Sequence, residues 1–180
     1  MKPLVAISML ALLAGVANAA DEGEIIVDFE QGEIGKPVPE WTEQGVVFSL
    51  ASPPTNSKAV GRVMFFPHLA TNRKGILNAM ATEQAIAVRA TLPRLASSVT
   101  LVFWASTGCP AVLEALDANG EVVARASLDA APGRKAPGYP VPFFKLIVRA
   151  PAIAAIRFSG PRNGEFLAAD ELRFTPVETR

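Results

Sequence analysis

The chain has 180 residues, half of them apolar, with 17 basic and 17 acidic side chains and a single histidine. This balance supplies no basic field for nucleic acid or anionic lipid, and the lone cysteine, Cys109, excludes an intramolecular disulfide. Stability must therefore come from the packing of about one domain's worth of core.

The first twenty residues read as an export signal. Lys2 gives the positive start, Leu4 to Val16 form an apolar run, and Ala17-Asn18-Ala19 supplies the small-x-small cleavage pattern. The run is too short to span a bilayer as a helix. Cleavage near Ala20 leaves residues 21–180 as a single domain, expected in the periplasm or outside the cell. Lys2 is the only charge in the signal, so the mature chain carries 16 basic and 17 acidic residues. No cysteine sits in the signal to take a lipid, and Pro176-Val177-Glu178-Thr179-Arg180 offers no apolar anchor. No membrane insertion of the mature form is expected.

From there on, apolar or β-branched runs bounded by Gly, Pro, Asn or Asp predict strands. They lie at 24–30, 45–52, 62–66, 85–92, 97–106, 111–117, 121–128, 143–149, 152–159 and 165–175. Many short strands separated by turns make an all-β sandwich or barrel. Period-two alternation is clearest late in the chain: Phe144, Leu146 and Val148 share a face opposite Lys145 and Arg149, and Ile156 and Phe158 flank Arg157. Residues 75–87 and 126–131 contain good helix formers and are open to a short helix instead, the second stopped by Pro132 and Gly133. Asp117-Ala118-Asn119-Gly120 predicts a hairpin between the runs either side of it, because Asn-Gly takes the positive φ that a tight turn needs. Two long connections, 31–44 with Trp41 and 131–142 with four prolines, Arg134 and Tyr139, are where binding residues belong on a rigid sandwich.

Enzyme chemistry finds little support. His68 is the only imidazole and no serine occupies a Gly-x-Ser-x-Gly elbow, so His68 reads as a loop residue and Cys109 as a packed thiol. Two such ligands are too few for zinc, and no glycine-rich phosphate loop opens a helix. Glu114, Asp117 and Glu121 surround the hairpin, but alternation turns Glu114 and Glu121 away from the apolar face, as surface charges rather than a hydrolytic pair.

The last strand is more suggestive. Strict alternation puts Phe166, Ala168, Asp170, Leu172 and Phe174 on one face, so Asp170 interrupts an apolar surface. A carboxylate there needs a pairing partner, backbone donors or a cation. Its hard oxygens suit calcium, with Asp28 and Glu30 of the first strand as further ligands if the two ends lie together. The alternative is a bulge or strand start at Ala168-Ala169 that turns Asp170 outward or into a turn cap.

The opening Asp28-Phe29-Glu30, then Gly45-Val46-Val47-Phe48, Val99-Thr100-Leu101-Val102-Phe103, Leu116 to Val123, Ile156 to Gly160 and the closing Ala169-Asp170-Glu171-Leu172-Arg173-Phe174 come in a familiar order. Over roughly 25–174 the chain resembles the galactose-binding-like jelly-roll domains of exported bacterial proteins, a carbohydrate-binding-module type. That resemblance implies a single, mostly antiparallel jelly-roll-like β-sandwich without catalysis, binding carbohydrate or a structural calcium ion. Asp170-Glu171 match the acidic pair those domains place before a final Leu-x-Phe. Several of those relatives carry a membrane-sorting tail or an attached enzyme, and neither is expected here. Sugar rings stack on flat aromatic side chains, which makes Trp41, Trp104 and Tyr139, with Arg134 beside Tyr139, the candidate ligand contacts. Trp104 alternates with Phe103 and so belongs on the outer face, open or covered. The expected partner is a glycan; the alternative is a structural protein that binds another exported protein through a sheet face or loop.

Overall fold

The computed structural model describes residues 23–36, 38–52, 64–67, 73–77, 79–80, 85–105, 110–130, 132, 142–159 and 167–178. These form strands and no helix: β1 (Ile25–Val27), β2 (Glu40–Glu43), β3 (Val46–Leu50), β4 (Met64–Pro67), β5 (Lys74–Leu77), β6 (Ala79–Met80), β7 (Ala85–Ile86), β8 (Val88–Ala105), β9 (Ala111–Leu116), β10 (Val122–Leu128), β11 (Phe143–Ser159) and β12 (Leu167–Pro176). The two segments open to helix contain strands and no helix among their described residues, β5 to β7 in one case and the end of β10, followed by a bend, in the other. The signal segment lies outside the described residues.

All pairings are antiparallel, and ten strands join into one continuous sheet, with β6 and β7 forming a separate pair. The long strands β8 and β11 fold that sheet over. Residues 88–91 of β8 pair with β3 and with the end of β11, whereas residues 96–105 pair with β12. The β11 register breaks between Arg149, Ile153 and Ala155. Sequence alone suggests two strands in each place, split at Pro93 and around Pro151. Both prolines are exposed and sit at the bend, where no ladder hydrogen bond is lost to the missing N–H. Sheet I then runs β10-β9-β11-β8-β3-β2, and sheet II holds the other halves of β11 and β8 with β12, β5, β4 and β1.

The layers close on an aromatic and aliphatic core. Phe103 of sheet II meets Phe158 of sheet I edge-on at 5.6 Å and stacks on Phe144 at 5.5 Å. Phe29, Phe48, Phe103, Phe158 and Phe174 are fully buried, each contributing about 2–3 kcal/mol by removal from water. Phe29 adopts a left-handed φ of 60°. That ends β1 at Val27, earlier than alternation suggests, and lets Phe29 turn in against Phe48, ring centroids 5.1 Å apart.

Two turns fix the local register. Asp117 Oδ1 accepts hydrogen bonds from the Asn119 and Glu121 amides, both at 2.9 Å, and Gly120 takes φ 84°. Asn119 keeps a negative φ, so the expected hairpin forms through glycine alone, with a bulge following at Val122/Ala124. The second turn was not anticipated. Gln44 (φ 49°) and Gly45 (φ 76°) make a two-residue turn of the kind whose twist matches antiparallel strands. It converts part of the expected 31–44 connection into β2 and places Trp41 on a strand.

Candidate functional site

The outer face of sheet I carries one polar row across six strands. Successive ladder partners are Arg125, Glu114, Arg157, Arg89, Ser49 and Glu40, on β10, β9, β11, β8, β3 and β2. Their chain neighbours Leu113, Ala115, Ile156, Phe158, Val88, Ala90 and Phe48 are buried, so alternation turns this row to solvent. Glu114 lies centrally, its side chain 14% exposed. One oxygen takes the Arg157 Nε–H and the other stands 3.4 Å from Arg125 Nη1. Thr91 and Ser159 lie two residues along β8 and β11 from the arginines, on the same face.

A second cluster sits where β12 changes neighbours. Ala168 and Ala169 pair with β5, whereas Leu172 and Phe174 pair with β1. Between them the β8 register skips Asp170, from Ala169↔Phe103 to Glu171↔Val102. Asp170 is thus the extra residue of a bulge, yet its side chain remains 1% exposed. It faces the gap between the start of β5 and the end of β1. Arg73 Nη2 stands 3.1 Å from Asp170 Oδ2 and 3.8 Å from Glu171 Oε2. Among the described residues neither Asp170 oxygen accepts a hydrogen bond. Burial raises its carboxyl to about 6; Arg73 opposes the rise, while Glu171, Glu30 and Asp28 add to it.

The other residues of this notch are engaged with each other. Asp28 Oδ1 accepts from the Glu30 amide at 3.2 Å, Glu30 Oε1 accepts from the Lys74 amide at 3.1 Å, and Lys74 Nζ donates to the Glu30 carbonyl. The notch therefore brings Asp28, Glu30 and Asp170 into one electrostatic neighbourhood with Arg73 and Lys74. Among the described residues no three acidic, histidine or cysteine side chains converge tightly enough to hold a metal ion as they stand. The fit to a hard cation rests on Asp170, whose two buried oxygens have no hydrogen-bond donor among the described residues. An ion there would take over the charge compensation that Arg73 supplies.

The aromatic candidates divide. Trp41 lies on β2 opposite Phe48, packed against the edge of the core and half-buried. Its Nε1–H donates to Glu43 Oε2 at 3.2 Å. Glu43 is itself buried, which raises its carboxyl above the usual range; the Trp41 hydrogen bond opposes that rise and Asp28 adds to it. Trp104 is covered, at 3% exposure, with its Nε1 near the Gly75 backbone. Its ring is part of the packing of sheet II and presents no open stacking surface. Tyr139, Arg134, His68 and Cys109 lie outside the described residues.

Sequence reasoning missed the row. The alternation around Arg157 and the outward direction of Glu114 were visible, but nothing local aligns them with Arg89, 68 residues before Arg157, or with Arg125. No helix among the described residues is long and apolar enough to cross a membrane.

No protein-family model matches the chain, and no curated protein matches it. Solved structures with a similar course include the K1 cleaved adhesin domain of Lys-gingipain from Porphyromonas gingivalis W83, at 12% identity and TM-score 0.48, covering 87% of this chain and 99% of that one. The carbohydrate-binding module TmCBM61, solved with β-1,4-galactotriose, matches at 13% identity and TM-score 0.45, over 83% of this chain and 94% of its own. A variant of the family 29 carbohydrate-binding module CBM29-2 matches at 8% identity and TM-score 0.44, over 86% and 93%. These similar structures are binding modules and an adhesin domain. At such scores they carry no inference about the ligand of this chain.

Proposed function

We propose that this chain is a non-catalytic, exported carbohydrate-binding module. The observation that carries the reading is the polar row on sheet I. A hydroxyl-rich ligand needs donors and acceptors held in fixed positions. Here guanidinium donors, carboxylate acceptors and serine and threonine hydroxyls are fixed by a ladder rather than a loop. Trp41, the ladder partner of buried Phe48, lies on the other side of β2 and leaves this row to polar side chains. Export rests on Lys2, the apolar run and Ala17-Asn18-Ala19.

A glycan array and pull-down on insoluble polysaccharides test the reading, with retention on at least one glycan expected. Absence of retention on every glycan overturns it.

We extend the proposal to a structural calcium ion held at the notch by Asp170, Asp28 and Glu30. Such an ion would supply positive charge to Asp170 and tie the end of β1 to β12.

One observation favours a second reading, a module for an exported protein partner. Among the described residues β10 pairs with β9 alone, and Val122, Val123 and Leu128 on it are exposed. An unpaired edge strand with apolar side chains is suited to accepting a strand from a partner. Co-purification of a partner from the exported fraction, lost on Val123→Pro, supports this reading over the first.

A further inference from the structure

Arg157 and Arg89 face each other directly across the β11–β8 ladder. Like charges at such positions, with Cβ atoms about 5 Å apart, weaken a sheet unless something compensates them. Glu114 compensates only one side, because its two oxygens go to Arg157 and Arg125. Arg89 is half-buried on the same face and forms no ion pair among the described residues. Its ladder neighbour on the far side is Ser49, and the next position in the row, Glu40, is two strands away, roughly 10 Å. The centre of the row is therefore cationic, with one guanidinium oriented by Glu114 and a second left for an outside group.

We infer that the Arg157–Arg89 pair binds the carboxylate of an acidic polysaccharide, a chain containing uronate residues. This deepens, and rests on, the carbohydrate reading above. Two guanidiniums side by side match a planar carboxylate with paired N–H···O bonds. Ser49, Thr91 and Ser159 surround them with hydroxyl groups suited to the hydroxyls of the same sugar. Glu114 acts as a positioning residue: it fixes Arg157 and is not itself a contact.

The experiment is affinity electrophoresis of the purified protein in gels containing polygalacturonate, its highly methyl-esterified form or dextran sulfate, with calorimetry on whichever binds. Polygalacturonate is expected to retard the protein, and esterification to weaken binding about tenfold or more, since it removes the charge that the guanidiniums recognise. Arg89→Gln is expected to lose binding to a similar extent with a melting temperature no lower than the parent's, while Arg149→Gln, an exposed arginine on the outer face of sheet II, leaves binding intact. Where Arg89→Gln melts early, Arg89→Lys, which keeps the charge but not the fork, is read instead and is expected to bind more weakly than the parent. Equal retardation by the acidic and esterified chains overturns the inference, as does full binding by Arg89→Gln, or retardation by dextran sulfate alone. Binding only to neutral glycans on the array also overturns it and leaves the carbohydrate reading standing. Silence on every glycan overturns both.

Discussion

Glu114 lies between Arg157 and Arg125, one carboxylate oxygen turned to each, and three strands of sheet I are tied together at that point. The two bonds are unequal. Arg157 is 41% exposed and donates through Nε, whereas Arg125 is 59% exposed on the edge strand. Exposed pairs contribute little because water and salt compete for both partners. Arg125→Ala is therefore expected to leave stability nearly unchanged. Glu114→Ala removes both pairs at once and leaves Arg157 beside Arg89 with no carboxylate between strands, and is expected to cost about 1 kcal/mol. Urea denaturation of the two variants checks the order; equal effects contradict it.

Gly75 is held by contact rather than by φ. A Cβ there would stand 2.8 Å from the Ala169 carbonyl oxygen and 3.2 Å from Trp104 Nε1. The backbone of β12 cannot yield without disturbing the bulge at Asp170. Gly75→Ala is expected to destabilise by about 1–3 kcal/mol and to raise the exposure of Trp104, read as a red shift of tryptophan fluorescence. A stable variant with unaltered emission refutes the packing.

The hairpin at Asp117 can be tested on its own. Asp117→Ala removes the acceptor for the Asn119 and Glu121 amides, with an expected cost of about 1 kcal/mol. Gly120→Ala forces a side chain to φ 84° and is expected to cost a similar amount, about 1 kcal/mol. Thermal melts report both, and because the turn lies far from the notch the losses should be unaffected by chelator.

The proposed calcium ion predicts ligand-linked stability. With free calcium about a hundredfold above its dissociation constant, the folded state gains roughly 2.7 kcal/mol, a shift of several degrees. Chelation is expected to lower the melting temperature of the parent, and Asp170→Asn to abolish the difference. Coincident curves with and without chelator refute the ion.

In chelator, Asp170 sets a pH dependence of definite sign. Its carboxyl is raised to about 6 in the fold from an ordinary value of 3.8, so folding favours the protonated form. The fold is least penalised below the ordinary value and loses stability as pH rises toward the folded value, with no further change above it. The full loss is of order 3 kcal/mol, from about two pH units. Measured against Asp170→Asn, the parent should weaken between about pH 4 and pH 6 and then run parallel to the variant. A parent that gains stability on the variant over that interval contradicts the burial of this carboxylate.

Much of the fold was legible because its signals are local. A side-chain period of two, with turn residues at the ends, marked most strands, and Asp117 to Gly120 marked the hairpin. Gln44-Gly45 was equally readable in retrospect, since glycine after a polar residue between alternating runs is the same signal in weaker form. The end of β1 was not, because it depends on Phe29 accepting a left-handed conformation to reach Phe48. Nor was the joining of two predicted strands into β8 and of two into β11, where prolines at a bend look the same in sequence as prolines in a loop.

Sequence alone thus determined the all-β class, the apolar face of most strands and the anomaly of Asp170. Whether that carboxylate turned outward was a matter of where β12 exchanges β5 for β1, and the bulge there buries it beside Arg73. The alignment of Arg89, Glu114, Arg125 and Arg157 was likewise decided only by tertiary structure. Alternation says which way a side chain points, but the register between strands distant in sequence is set by how Phe48, Phe103, Phe158 and their neighbours pack between the layers.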